Sequence, residues 1–187
     1  HVDTVPPTGA TATTVYADAR GNITTRMLWH GTLAGGHDDT TYGYTKSGQL
    51  ASIVDAAGNA WSYSYDALGR QTGASDPDAG ISSTTYDDAG RATTSTDARG
   101  TTVANVYDAL DRVVERREGS ATGPLLASWT YDTLAKGQLT SSTSYVGADQ
   151  YIVGVTGYDD AYRPLGDQVT IPGSAGALAG TYTTANT

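Results

Sequence analysis

Short segments in which large and small side chains alternate recur along this sequence. In the segment NAWSYSY, Trp61, Tyr63 and Tyr65 fall on one face of an extended chain, and Ser62 and Ser64 fall on the other. The segments ISSTTY, RATTST and TTVANVY have a similar length and are rich in residues that favour strands. No long window shows the 3.6-residue apolar period of a helix. The pattern predicts an all-β fold in which strand follows strand as an antiparallel meander.

An Asp-x-x-Gly turn signal separates the predicted strands. In the segment DALG at 66–69, the aspartate can accept a hydrogen bond from the backbone two residues on. The glycine can take the left-handed conformation that closes a three-residue hairpin loop with a bulge. The segment 87–90 fits the same pattern, whereas Asp111 and Tyr162 stand where glycine is expected. Each signal therefore predicts a hairpin.

The tyrosines that precede these turns recur at a regular spacing. The first four are 21 residues apart and the next two intervals are 24 and 27 residues: Tyr44, Tyr65, Tyr86, Tyr107, Tyr131 and Tyr158. A second signal, such as 55–58 or 97–100, lies near the middle of each unit, and 18–21 matches it. A fixed period of this length indicates a repeat architecture with two strands per unit, and thus about 16 strands. We expect the recurring tyrosines to stack as cross-strand partners.

The composition does not supply a conventional packed core. Phe is absent, 23 residues are Gly, and many strand positions are Ser, Thr, Ala or Gly on both faces. The 13 Tyr, the 3 Trp and the regular repeat argue against a disordered chain. The sequence therefore predicts a thin, curved sheet that is wetted on both sides.

Charge and cysteine content exclude several function classes. A net charge of -9 with only 11 Lys and Arg leaves little to neutralise phosphates, so no nucleic-acid partner is expected. The absence of cysteine excludes disulfides and thiolate metal sites. The longest apolar run is far shorter than the roughly 18 residues of a membrane span, so none is predicted.

The motif Tyr-Asp-x-x-Gly-Arg, followed by an Asp-x-x-Gly half-unit, resembles the YD repeat of recombination-hot-spot (Rhs) proteins. Related repeats occur in the shell subunits of insecticidal toxin complexes and in teneurins. The resemblance covers residues 13–187 and is strongest over 44–112, which leaves 1–12 as an irregular N-terminal segment. It implies a single repeat domain whose hairpins form a curved, spiralling sheet, an arc of a β-shell. It also implies a secreted or cell-surface bacterial protein that encloses a C-terminal toxin or other cargo.

The resemblance gives the repeated residues structural roles. It implies that the tyrosines pack, that the aspartates and glycines form turns, and that the arginines pair with neighbouring carboxylates. The residues concerned are Tyr65, Asp66, Gly69, Arg70, Tyr86, Asp87, Gly90, Arg91, Tyr107, Asp108 and Arg112. The motif is degraded elsewhere: Thr45 replaces the turn aspartate, and the turn after Tyr131 is enlarged.

The predicted sheet is too small to enclose a cargo alone. About 16 strands spaced roughly 4.8 Å apart would form a closed ring about 25 Å across. A folded domain of about 100 residues already has a radius of gyration near 13 Å. We therefore expect a truncated part of a larger shell. Its partners would be the rest of that shell and the enclosed cargo, and bare sheet edges could pair with another copy.

The segment HGTLAGGHDD at 30–39 gathers histidines and carboxylates. His30, His37, Asp38 and Asp39 are candidates for a divalent metal site or for the acid-base chemistry of a hydrolase. No further ligand stands at a suitable spacing, and a long polar loop between repeats is the favoured interpretation. We therefore expect no metal, no cofactor and no enzymatic activity.

Two functional hypotheses follow for the chain as a whole. The leading one is a non-catalytic structural segment of a cargo-enclosing shell. The alternative is an extracellular adhesion or carbohydrate-binding repeat, because exposed Tyr and Trp side chains can stack on sugars. Cross-strand packing is the commoner use of such side chains, which favours the first hypothesis.

Overall fold

The fold is built from consecutive β-hairpins. A computed structural model describes residues 1–5, 11–31, 33 and 35–186. Within these ranges it contains 16 β-strands and one short 3-10 helix, and neighbouring strands pair antiparallel. The predictions of an all-β meander and of about 16 strands are confirmed.

The chain divides into two compact units. The first comprises residues 1–84 and 97–99, and the second comprises residues 85–96 and 100–187. The repeat array at 13–187, which the sequence presents as a single domain, therefore contributes to both units.

The first unit is a meander in which each strand lies beside its neighbours in the chain. Its strands are β1 (Val2–Thr4), β2 (Thr13–Ala17), β3 (Ile23–Trp29), β4 (His37–Tyr44), β5 (Leu50–Val54), β6 (Ala60–Tyr65), β7 (Gln71–Asp76) and most of β8 (Gly80–Tyr86), whose last two residues belong to the second unit.

Strand β1 lies inside the segment that the sequence predicts to be irregular. Val2–Thr4 pairs with β2 in the register Val2↔Val15 and Thr4↔Thr13. The strand has only three residues, which is too short for an alternating pattern to indicate it in the sequence, and all three are exposed. Main-chain hydrogen bonds hold it, and these do not depend on the side chains. Residues 6–10 of the same segment lie outside the described residues.

The second unit repeats the same plan. Its strands are β9 (Ala92–Thr96), β10 (Thr102–Tyr107), β11 (Val113–Glu118), β12 (Leu125–Tyr131), β13 (Leu139–Val146), β14 (Asp149–Tyr158), β15 (Pro164–Ile171) and β16 (Gly180–Thr183), with the 3-10 helix η1 (Gly173–Leu178) before the last strand. Strands β9 to β16 again follow one another in chain order.

Very few side chains are buried. Among the described residues, the buried ones are Ala12, Thr14, Ala104 and Gly166. The accessible surface is 11776 Å², whereas a compact protein of this mass exposes about 8,500 Å². The expectation of a sheet wetted on both sides therefore agrees with the burial of its side chains. Main-chain pairing and side-chain contacts across neighbouring strands must hold such a sheet together.

The side-chain alternation in β6 follows the prediction. Trp61, Tyr63 and Tyr65 are half-buried, while the intervening Ser62 and Ser64 are exposed. A strand turns successive side chains to opposite faces, so the aromatic residues of β6 share one face. On this face, the hydroxyl of Tyr65 donates to the carbonyl of Leu50 on β5.

Candidate functional site: the Tyr-Asp turns

One set of hydrogen bonds closes the hairpin turns that follow the repeat tyrosines. In the turn 66–70, the N–H of Asp66 donates to the carbonyl of Arg70 at 2.9 Å, and the N–H of Gly69 donates to the carbonyl of Asp66 at 3.0 Å. One carboxylate oxygen of Asp66, Oδ1, accepts from the N–H groups of Leu68 and Arg70, both at 2.9 Å. The aspartate therefore satisfies the loop backbone, as expected of the first residue in a turn.

The second carboxylate oxygen of the turn aspartate binds the arginine. The Nε of Arg70 lies 2.6 Å from Oδ2 of Asp66. The same pair recurs at 2.7 Å in three further turns: Arg91 with Asp87, Arg112 with Asp108, and Arg163 with Asp159. We call these four turns (66–70, 87–91, 108–112 and 159–163) the Tyr-Asp turns. The arginine stands four residues after the aspartate, and this spacing lets the two side chains pair across the turn.

The tyrosines that precede the Tyr-Asp turns at 66–70, 108–112 and 159–163 bond to an earlier strand through their hydroxyl groups. The hydroxyl of Tyr65 donates to the carbonyl of Leu50 at 2.7 Å, and that of Tyr107 donates to the carbonyl of Ala92 at 2.8 Å. Leu50 and Ala92 are the first residues of β5 and β9. The same bond joins Tyr44 to Ile23 and Tyr158 to Leu139. Each hydroxyl therefore bonds to the first residue of the strand that directly precedes its own in the chain and pairs with it.

In the second unit the arginines also connect one turn to the next. Arg91 Nη1 lies 2.7 Å from Asp111 Oδ1 and stacks over the ring of Tyr107 at 4.8 Å. Arg112 repeats both contacts with the turn that follows it. Guanidinium over an aromatic face adds a cation–π attraction to the ion pair. The tyrosines Tyr107 and Tyr131 thus pack against arginines, which corrects the expectation that repeat tyrosines stack on one another.

The left-handed turn position is mostly glycine, and its exceptions are informative. Gly69 and Gly90 have φ angles of 83° and 88°. Asp111 and Tyr162 take the same conformation with φ angles of 64° and 61°. Asp111 supplies the carboxylate that Arg91 binds, and this turn-to-turn contact offsets the cost of a left-handed aspartate. Tyr162 is exposed and carries no comparable contact in the described part of the chain.

Uncharged residues make the same connections in the first unit. The turn at 45–49 has Thr45 and Gln49 where the motif has Asp and Arg. Thr45 Oγ1 accepts from the N–H of Gln49 at 3.1 Å, as the turn aspartate does elsewhere. Gln49 Nε2 donates to the carbonyl of Gly69 in the next turn at 2.7 Å. Thr45 and Gln49 therefore replace the ion pair with neutral hydrogen bonds, while the turn is still closed and still joined to the next turn.

The turn at 18–22 lies on a different edge from the one its sequence suggests. It resembles the mid-unit turn at 55–59, because Asp18 and Asp55 both hold an asparagine four residues on, at 2.9 and 2.8 Å. Alternate hairpins of a meander share an edge, however, and the β2–β3 turn shares its edge with the β4–β5 turn. Arg20 Nη1 accordingly donates to the carbonyl of Lys46 at 2.8 Å. Local sequence specifies the turn, whereas the count of strands decides its edge.

The hydrogen bonds of these turns lower the pKa of the aspartates. The backbone N–H of Arg70 is the main cause at Asp66, and the Arg112 guanidinium is the main cause at Asp132. At Asp108 desolvation raises the pKa, but hydrogen bonds from Arg112 outweigh it and the pKa is lowered. These carboxylates are therefore charged and already occupied by donors, which suits a structural role better than acid-base catalysis.

The candidate histidines and aspartates separate into two pairs. His30 Nε2 lies 3.0 Å from Asp38 Oδ2, and His37 Nδ1 lies 2.6 Å from Asp39 Oδ1. Because Asp38 and Asp39 are successive residues of β4, their side chains point to opposite faces. No group of three or more potential metal ligands is found among the described residues.

The polar loop predicted at 30–39 is shorter than expected. Strand β4 already begins at His37, where it pairs with Trp29, and the ring of Trp29 meets that of His37 edge-on at 4.6 Å. This contact extends the hairpin into the polar segment, which explains the earlier start of the strand. Residues 32 and 34 lie outside the described residues.

The turn-to-turn pairs are the contacts that sequence reasoning missed. Asp111 and Asp132 lie twenty positions after Arg91 and Arg112, close to one repeat period. The motif predicts that the arginines pair with neighbouring carboxylates, but it does not distinguish the local partner from the one in the next turn. Opposite charges separated by about one period would have nominated both pairs as candidates, although the contact itself depends on how the strands pair.

Comparison with known proteins agrees with this geometry. Residues 44–81 and 86–123 match the family model of the RHS repeat. These two segments are similar to RHS repeats. No curated protein matches the chain.

Solved structures share the fold of this chain. The crystal structure of TcdB2-TccC3 aligns with a TM-score of 0.73 at 18% identity, over 95% of this chain and 10% of that one. TcdB2-TccC3-Cdc42 aligns with a TM-score of 0.73 at 17% identity, over 95% and 10%. The Photorhabdus luminescens Tc holotoxin pore aligns with a TM-score of 0.50 at 17% identity, over 94% and 12%. The chain thus spans about a tenth of the length of these proteins. Among the described residues, no helix is long and apolar enough to cross a bilayer.

Proposed function

We propose that this chain is a non-catalytic wall segment of an RHS-repeat shell that encloses a C-terminal toxin or other cargo outside the bacterial cell. The observation that carries the proposal is the chain of Tyr-Asp turns. Each turn binds its own backbone, and the turns at 87–91 and 108–112 also bind the next turn through Arg91 and Arg112. Such contacts stabilise a sheet that has almost no buried core.

The mechanism of a wall is exclusion. Main-chain hydrogen bonds run between neighbouring strands, and small hydroxyl side chains such as Ser62, Ser64 and Ser75 line part of one face. Side chains of this kind offer little apolar surface to a folded protein. The wall would separate its contents from the surroundings without binding them tightly over most of its area.

Three further points support the proposal. The solved structures with this fold include a Tc holotoxin pore. The turn carboxylates are occupied by donors, and the candidate histidines divide into pairs on two faces of β4. In this proposal, the partners of the chain are the remaining repeats of the shell and the enclosed cargo.

Small-angle X-ray scattering with light scattering tests the wall proposal on the 187-residue chain. We expect a radius of gyration clearly above the roughly 16 Å of a compact protein of this length. A compact globular monomer would contradict it. A glycan panel distinguishes the alternative, because specific sugar binding would favour an adhesion or carbohydrate-binding repeat. Hydrolytic activity that is lost in His37→Ala would favour an enzyme.

A further inference from the structure

The last strands of the second unit carry apolar side chains on their more exposed face. Val153, Val169 and Tyr182 are directly opposite one another across β14, β15 and β16. Their exposed fractions are 53%, 39% and 52%. Tyr151 lies two residues before Val153 on β14, and therefore on the same face, and it is 39% exposed. Residues opposite each other in antiparallel strands share a face, so these side chains form one row.

The alternation along these strands is the reverse of that in a sheet with one solvated polar face. On β14, Tyr151 and Val153 are exposed, whereas Ile152 and Gly154 between them are half-buried. On β15, Val169 is exposed and Thr170 is half-buried. We define the Val-Tyr patch as Tyr151, Val153, Val169, Ile171 and Tyr182. A contiguous apolar patch of this kind on an exposed face marks an interaction site.

Carboxylates stand at both ends of the patch on the same face. Asp149 precedes Tyr151 by two residues, and Asp167 lies two residues before Val169. Asp167 pairs with Val155 on β14, six residues beyond Asp149. The two carboxylates are therefore about 20 Å apart along the strand direction. Neither carboxylate forms an ion pair with another residue in the described ranges.

We propose that the Val-Tyr patch binds an extended polypeptide segment whose apolar side chains are flanked by lysine or arginine. The apolar row would contact the centre of the segment, and Asp149 and Asp167 would pair with its basic ends. An extended segment of about seven residues spans the distance between these carboxylates. The proposal goes beyond the wall function and does not depend on it.

The chemistry of the patch favours a peptide over the other occupants. A stable interface between two copies buries roughly 800 Å² on each partner, more than five partly exposed side chains supply. Three of the five are branched aliphatic residues, which offer a sugar no flat ring to stack on. Apolar side chains with charges of one sign at both ends are complementary to an apolar segment with charges of the other sign.

A labelled peptide titration tests the proposal on the whole 187-residue chain. The probe is a blocked peptide of about nine residues with lysine near both ends and alternating valine and threonine between them. We expect saturable binding by fluorescence anisotropy, and at least about tenfold weaker binding when glutamate replaces lysine in the peptide. Binding should also weaken as salt is added, because the ion pairs are exposed.

Matched variants locate the site. Val153→Thr combined with Val169→Thr should weaken binding about tenfold, since threonine keeps the strand shape and removes apolar contact. Asp149→Asn combined with Asp167→Asn should remove most of the salt dependence. Ile81→Thr and Asp160→Asn are the controls, because each changes an exposed residue outside the patch. Circular dichroism establishes that every variant is folded.

Three results would overturn the proposal. The first is no binding, or binding that the patch variants leave unchanged. The second is a dimer of the chain that Val153→Thr with Val169→Thr dissociates, because the patch would then bind a second copy. The third is sugar binding that the same double variant abolishes.

Discussion

Arg112 Nη2 lies 2.6 Å from Oδ2 of Asp132, which stands twenty positions further along the chain. The same guanidinium binds Asp108 in its own turn through Nε, at 2.7 Å. It also lies over the ring of Tyr131, 4.3 Å from the centroid. One side chain therefore closes a loop, joins it to the next loop and covers the tyrosine between them. This relationship explains why tyrosine, aspartate and arginine recur together.

Substitution of Arg112 should destabilise the chain more than substitution of Arg163. Arg163 pairs with Asp159 in its own turn and its side chain is 80% exposed, whereas the side chain of Arg112 is 23% exposed and has three partners. Lysine cannot reproduce the forked geometry. We expect Arg112→Lys to lower Tm by about 2–5 °C, and Arg163→Lys to change it by less than about 1 °C. Thermal unfolding followed by circular dichroism measures both, and equal effects would contradict the turn-to-turn role.

Removal of the Tyr107 hydroxyl should cost one hydrogen bond. Tyr107→Phe keeps the ring beneath Arg91 but loses the bond to the carbonyl of Ala92. We expect the free energy of unfolding to fall by about 1 kcal/mol. Tyr151→Phe is the matched control, because Tyr151 is more exposed and its hydroxyl has no hydrogen-bond partner in the described part of the chain. Urea unfolding measures both variants, and a loss of equal size in the control would exclude the assigned bond as the cause.

The left-handed turn positions should respond to substitution in opposite directions. Tyr162, with a φ of 61°, holds a conformation that glycine adopts without strain. Tyr162→Gly should therefore stabilise the chain by about 0.5–1 kcal/mol. Gly69→Ala, at a φ of 83°, should destabilise it by about 1 kcal/mol.

Gly173 provides the control for these turn variants. A Cβ at Gly173 meets no atom within 4 Å, and its φ lies outside the left-handed region. Gly173→Ala should leave the urea midpoint nearly unchanged. If Gly69→Ala proves as mild as Gly173→Ala, the left-handed requirement does not govern the turn.

Acid should weaken the fold through the turn aspartates. The pKa values of the aspartates that bind a turn arginine are lowered in the folded chain: Asp66, Asp87, Asp108, Asp132 and Asp159. A lowered folded pKa gives stability that is present above the unfolded value of about 3.9 and is lost as the pH falls through the folded value. We expect Tm to be nearly constant from about pH 7 to 5 and to fall below about pH 4.

A neutral variant separates the aspartates from other acid effects. Asp108→Asn should lower Tm at neutral pH, because the ion pair with Arg112 is lost. It should also reduce the drop in Tm on acidification, because one titrating carboxylate has been removed. An acid dependence identical to that of the parent chain would show that Asp108 does not contribute.

The sequence by itself determined the repeated unit. The alternation in β6, the glycine turns and the period of 21 residues predict hairpins in series, and all of these are local properties of the chain. The polar composition likewise predicts a sheet with little core. Even the exceptions at Asp111 and Tyr162 are visible in the sequence, because each stands at a known position of a known turn.

Only the tertiary structure decided which contacts join one repeat to the next. The sequence does not state that Arg91 binds Asp111, because that contact depends on the pairing of strands that place two turns side by side. For the same reason it does not show that the turn at 18–22 shares an edge with 45–49, or that Val2–Thr4 joins the sheet. Each of these features arises from main-chain pairing between successive strands rather than within one strand or one turn. Local side-chain patterns do not encode such pairing, so only the assembled strands reveal it.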